Sequence, residues 1–219
     1  ILIILIFYEY EIFSGLQEIL IFSFLVILSK YFLLLKDSEN KYYILYIILG
    51  CNLIIWFKAE GIAYSSILIL LLNFSKQISR KIKIYINISY VSIIIFKIIV
   101  YKFSDTTLLN TMGHPYNLGY IFDLNFEFIV HKFKFIIPYF FYYVINNVLF
   151  ISGIIVLFAL NFQKKTDDYI KLLNLYFIFS LIFIFSAYLF RDMEVEYSVR
   201  TTMKRIIFAF SGFYALMVI

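Results

Sequence analysis

The chain has 219 residues, of which 63% are hydrophobic and 15% charged, with a net charge of +5 and a mean hydropathy of +0.92. Soluble domains average about 45–50% apolar and about 25% charged residues, so this composition has too little polar surface to cover a soluble globule. With 7 Gly and 2 Pro it also excludes collagen-like and disordered chains, and an integral membrane protein is the class that remains.

Taken in chain order, Ile1–Tyr8 is apolar from its first residue, and a polar patch follows from Glu9 to Glu18. Ile19–Leu35 is a span interrupted by Lys30, and Lys36–Lys41 is a short polar loop. Tyr42–Phe57 and Ile62–Phe74 are shorter apolar runs hinged at Lys58-Ala59-Glu60-Gly61, and Ser75–Lys83 is a basic loop. Ile84–Tyr101 spans next, with Lys97 close enough to its end to snorkel to the interface. Lys102–Lys134 is the longest polar stretch. Phe135–Leu160, Leu172–Phe190 and Ile206–Ile219 complete the apolar set, separated by Asn161–Lys171 and Arg191–Arg205. Ile1–Tyr8 and Ile206–Ile219 fall short of the roughly 20 residues a membrane helix needs, so both read as spans cut by the ends of the sequence. The expectation is an all-α, polytopic transmembrane helix bundle, truncated at both ends, with residues 1–219 forming a single membrane-embedded domain of about seven to eight apolar segments.

Basic residues orient the bundle. With Lys36–Lys41, Ser75–Lys83 and Asn161–Lys171 on the cytoplasmic side, nine Lys/Arg fall in 26 residues there, beside four acids. The opposite side holds eight Lys/Arg over more than twice the length, and ten acids. The 13 residues of Ile62–Phe74 reach only about 20 Å as a helix, against an apolar layer of about 30 Å. Tyr42–Phe74 is either one broken span or a pair of short helices that returns to the same side. The returning pair keeps both basic loops together and is the expected arrangement. Cys51 is the sole cysteine, so no internal disulfide forms, and its apolar setting suits a buried, inert thiol.

On this topology one face collects Glu18, Lys58, Glu60, the Lys102–Lys134 loop and the Arg191–Arg205 loop, and ionisable groups at membrane depth commonly mark pathways or sites. At the hinge, Lys58 suits neutralisation of a phosphate and Glu60 suits orienting it or an acceptor; a turn with solvated charges, made tight by Gly61, is the competing reading. Glu18 opens a span, where an acid also complements the helix dipole. In Arg191–Arg205, a helix would pair Glu196 with Arg200 at i,i+4. Its cations suit a lipid phosphate or pyrophosphate, or they snorkel from an interfacial helix. Asp105, His114, Asp123, Glu127 and His131 lie in the long loop without metal-ligand spacing such as H-E-x-x-H, so no metal site is expected. Neither a phosphate-cradling P-loop nor a nucleophile elbow is present, and the lysines read as topology signals rather than as a nucleic-acid surface.

Three of these stretches, in order, resemble bacterial GT-C-type membrane glycosyltransferases related to protein mannosyltransferases. Gly15-Leu16-Gln17-Glu18-Ile19 resembles their G-Y-A-D/E-L segment at the start of a membrane helix. Gly50 with Phe57-Lys58-Ala59-Glu60-Gly61 is similar to their G…T-K-N-E-G segment. Tyr197–Arg205 is similar to their R/Q-T-S-x-D/E-R segment before a late helix. Ala59 stands where Asn is usual, and Lys204 where an acid is commoner. The resemblance implies transfer of a sugar from a polyprenyl-phosphate carrier, a lipid-linked donor that acts as substrate, to an acceptor on the outer face of a bacterial inner (plasma) membrane. It further implies that Lys58, Arg200 and Arg205 hold the carrier phosphate, that Glu60 orients Lys58 or the acceptor, and that Glu18 is a second acidic site residue. The principal catalytic acid would lie N-terminal to this sequence, so no general base is assigned. Two other classes share the aromatic-rich, many-helix pattern: a flippase or polymerase of lipid-linked saccharides, and an organelle-encoded respiratory membrane subunit.

Overall fold

The computed structural model describes residues 16–35, 40–58, 60–103, 126–162, 168–190 and 194–218. Within them the chain is all-helical: α1 (Leu16–Leu34), α2 (Lys41–Phe57), α3 (Gly61–Phe74), α4 (Arg80–Phe103), α5 (Phe126–Ile145), α6 (Val148–Phe162), α7 (Asp168–Leu189), α8 (Val195–Ser211), a 3₁₀ turn (Gly212–Tyr214) and the short α9 (Ala215–Val218). Lipid offers no hydrogen bonds to a peptide group, so a run this apolar must satisfy its own backbone, and the helix does so locally. Gln17–Leu34, Arg80–Val100, Glu127–Ile145 and Asp168–Leu189 are long and apolar enough to cross a membrane, and α2, α3 and α6 are shorter apolar helices. The expected Ile1–Tyr8 segment lies outside the described residues.

The core forms where apolar stripes of several helices face inward. On α1, Ile21, Leu25, Leu28 and Phe32 are buried at the three-to-four-residue spacing of one helix face, whereas Leu20, Ile27 and Leu33 are exposed, as suits a lipid-facing surface. Aromatic rings fill much of the interior. Tyr176 of α7 stacks on Phe213 with centroids 4.1 Å apart, and its hydroxyl donates to Phe210 O at 3.0 Å. Phe22 of α1 stacks on Phe208 of α8, 4.8 Å between centroids. Gly212 brings the end of α8 onto the α1 backbone: a Cβ there would sit 2.5 Å from Phe22 O.

The returning pair is what the structure contains. Lys58, between α2 and α3, lies beside Glu18 at the start of α1. At the far end of the bundle, Leu35 after α1, Ser75 after α3 and Asp168 at the start of α7 line one small crevice, and Lys76 N donates to the Asp168 carboxylate at 3.1 Å. The helix ends that flank the three basic loops therefore gather at one end, and the Lys58 hinge sits at the other.

Three expectations are corrected. Phe135–Leu160 is not one span: α5 stops at Ile145 and α6 starts at Val148. The cause is Asn147, whose side-chain oxygen accepts from Phe150 N at 2.9 Å. An asparagine side chain that competes with the helix ladder ends one helix and caps the next. The second correction concerns Lys97, which does not snorkel outward; it is fully buried and points into the bundle. Conversely, the end of the polar stretch and the start of the apolar run from Ile206 form one element, α8 (Val195–Ser211), and the 3₁₀ turn Gly212–Tyr214 then interrupts the run.

Candidate functional site

The site is built at the hinge. Helix α2 ends at Phe57, Lys58 is extended (φ −155°, ψ 159°), and α3 starts at Gly61 after Glu60. The turn is tight because the two helices meet backbone to backbone; a Cβ on Gly61 would lie 2.0 Å from Ile54 O. The carbonyl groups at a helix C-terminus lack partners along the chain and carry partial negative charge. Here a cation supplies them: the Lys97 ammonium, from α4, donates to Ile55 O and Lys58 O, and it also lies 5.9 Å from the centre of the Trp56 ring.

This backbone anchoring leaves the Lys58 side chain free to reach α1. Its ammonium donates to Glu18 Oε1 at 2.8 Å and lies 3.6 Å from Glu60 Oε1. Arg205, on α8, brings Nη1 within 3.6 Å of the same Glu18 oxygen. The Phe22–Phe208 stack lies one turn further into both helices and sets that register. The Glu18 side chain is 7% exposed and that of Lys58 25%, so these charges are not those of a solvated turn. Glu60 makes no side-chain cap to α3; among the described residues its buried Oε2 has no hydrogen-bond partner, and neither has Arg205 Nε.

Of the residues expected from the sequence, the structure thus brings Glu18, Lys58, Glu60 and Arg205 together. Arg200 lies on a different contact. It pairs with Glu196 at 2.9 Å, the i,i+4 pair expected from spacing, and its Nε donates to the Tyr139 hydroxyl of α5 at 2.5 Å. That hydrogen bond and the Glu196 carboxylate push its already high pKa further up. Lys204 is exposed, while Thr202 bonds the Tyr188 hydroxyl at 2.9 Å. Of the long-loop residues, Asp105, His114 and Asp123 lie outside the described residues; Glu127 is exposed in the first turn of α5, and the His131 ring packs edge-on against Phe135. Among the described residues, no three His, Cys, Asp or Glu side chains converge.

Sequence reasoning missed the inward role of Lys97, yet a signal existed. The buried residues of α4 are Ile86, Tyr90 and Lys97, four and then seven residues apart, which is one helix face. A lysine on the buried stripe, rather than near the end of an outward one, is aimed at the core. Tyr139 carried no such signal, since the chain has 20 tyrosines.

Among the described residues, Lys58 meets Glu18 and Glu60, Arg205 meets Glu18, and the Lys97 ammonium lies beneath the hinge on the Ile55 and Lys58 carbonyls. Such a site, at the end of a membrane bundle, suits an anion with further hydrogen-bonding groups. No protein-family model, curated protein or solved structure matches this chain.

Proposed function

We propose that this chain forms the membrane-embedded part of a transferase that moves a sugar from a polyprenyl-phosphate carrier to an envelope acceptor, on the outer face of a bacterial plasma membrane. The observation that carries the reading is the meeting of Glu18, Lys58, Glu60 and Arg205 in one partly buried cluster, from three stretches that are far apart in sequence. In this reading Lys58 and Arg205 hold the carrier phosphate. As the sugar leaves, charge builds on that phosphate, and fixed cations in a water-poor site stabilise it without reorganising. Glu60, with one oxygen unengaged among the described residues, orients Lys58 or accepts a hydrogen bond from the acceptor hydroxyl. The isoprenoid tail lies along the exposed apolar faces of the bundle, in lipid. The basic loops at the opposite end face the cytoplasm and put the site outside.

The test is sugar transfer in vesicles supplied with a polyprenyl-phosphate-linked sugar. Lys58→Ala is expected to lower transfer about 100-fold or more, on the scale of removing one preorganised transition-state donor, while the protein still inserts. Transfer at the wild-type rate by that variant overturns the assignment. Movement of the lipid-linked sugar across the bilayer without transfer would point instead to a translocator.

A further inference from the structure

Resting on the phosphate reading above, we infer that Glu18 is a displaceable counter-ion: it occupies both phosphate-binding cations in the resting protein and gives them up when a phosphate-bearing ligand enters. A single oxygen, Glu18 Oε1, lies 2.8 Å from Lys58 Nζ and 3.6 Å from Arg205 Nη1. A carboxylate and a phosphate draw on the same donors, a planar guanidinium and an ammonium. Glu18 therefore sits where a ligand's phosphate oxygen would bind.

The surroundings are built for more than Glu18. Arg205 Nε is buried and has no hydrogen-bond partner among the described residues, and the same holds for Glu60 Oε2. The Glu60 side chain is only 10% exposed, and buried polar atoms are seldom left unmade, because an unmade hydrogen bond at depth is costly. One donor and one acceptor, on two side chains of the cluster that holds the Lys58 ammonium, match a ligand that offers an anionic oxygen and a hydroxyl. The phosphate would take Arg205 Nε together with Lys58, and the hydroxyl would donate to Glu60 Oε2. Lys97 keeps its place beneath the hinge, bound to Ile55 O and Lys58 O, so the Lys58 backbone does not move. What must move is the Glu18 side chain, because a carboxylate and a phosphate on the same two cations repel. Its function is to keep the cations neutralised in the absence of ligand and to make ligand binding a competition.

The experiment measures binding of farnesyl phosphate, and separately of inorganic phosphate, to the detergent-solubilised protein by calorimetry, with thermal unfolding followed in parallel. Glu18→Gln removes the competing charge and keeps the shape. It is expected to bind farnesyl phosphate about tenfold tighter than wild type, and the ligand is expected to raise its unfolding temperature by more. Lys58→Gln and Arg205→Gln are expected to bind it more weakly than wild type. Equal or weaker binding by Glu18→Gln, with wild-type binding intact and dependent on Lys58 and Arg205, overturns the counter-ion role and leaves the phosphate site standing. Binding of neither probe by wild type or Glu18→Gln overturns the phosphate reading itself. If inorganic phosphate shows the same preference for Glu18→Gln, the headgroup alone displaces the carboxylate; if only farnesyl phosphate does, the lipid chain is needed, and both results support displacement. Should Glu18→Gln not fold, Glu18→Asp draws the carboxylate back by one methylene. A gain in affinity of a few-fold then supports the inference, and no gain overturns it.

Discussion

Glu18 and Lys58 meet at 2.8 Å although forty residues separate them in the chain. The contact joins the first turn of α1 to the hinge between α2 and α3, and through Glu18 it also engages Arg205 of α8. The Glu18 carboxylate, only 7% exposed, is held by its cations, and removing them leaves it uncompensated.

The pair is therefore expected to show energetic coupling. Lys58→Met and Glu18→Gln should each destabilise the protein, and the double substitution should cost less than their sum by about 1–3 kcal/mol. Reversible unfolding in mixed micelles measures it. Strict additivity would show that the contact contributes nothing to stability.

Arg205 and Arg200 are expected to separate. Arg205 touches Glu18, whereas Arg200 is committed to Glu196 and Tyr139. Sugar transfer should fall at least tenfold further in Arg205→Gln than in Arg200→Gln. The same assay in vesicles compares them, and equal losses would move the phosphate site toward α5.

Gly61 is expected to tolerate no side chain. Its Cβ would overlap the carbonyl of Ile54, a backbone atom that cannot turn aside, while the Cβ of Gly50→Ala would meet the flexible end of Leu28. Gly61→Ala should lower stability by about 3 kcal/mol, at the upper end of overpacking costs, and Gly50→Ala by about 1 kcal/mol. Thermal unfolding of the two variants checks the order.

Lys97→Met is expected to loosen the hinge, since Ile55 O and Lys58 O lose the ammonium that they share. The loss of hydrogen bonds at depth should cost about 1–3 kcal/mol. Amide hydrogen exchange should speed up at Lys58–Gly61 and stay unchanged at the Asp168 end of α7. Faster exchange throughout the bundle would mean that Lys97 supports the whole core rather than the turn.

Orientation is testable with one residue at each end. Ser79 and Thr201 are exposed, and the native Cys51 is 1% exposed, so it gives no background labelling. In intact cells Thr201→Cys should react with a membrane-impermeant maleimide, and Ser79→Cys should react only once the membrane is opened. The reverse pattern would invert the protein, and labelling of both from one side would contradict the two-ended bundle.

Composition and periodicity determined the class of this protein. Long apolar runs with so few charges suit helices that satisfy their own backbone in lipid, and the positions of the charged clusters marked most helix ends. The pairing of Glu196 with Arg200 followed from helix spacing alone. Spacing was silent on contacts between helices, because Glu18, Lys58 and Arg205 are brought together by the Phe22–Phe208 stack and by the glycine-tight turn at Gly61, neither of which leaves a local pattern. The break at Asn146–Asn147 was hidden because an asparagine in an apolar run reads as tolerated until its side chain is seen capping Phe150 N. Lys97 shows the difference most plainly. Its place on the α4 stripe was written in the chain, but a lysine near a helix end can reach water or a carbonyl equally well. Only the position of the α2 terminus, whose carbonyls need a donor, decides that it turns inward.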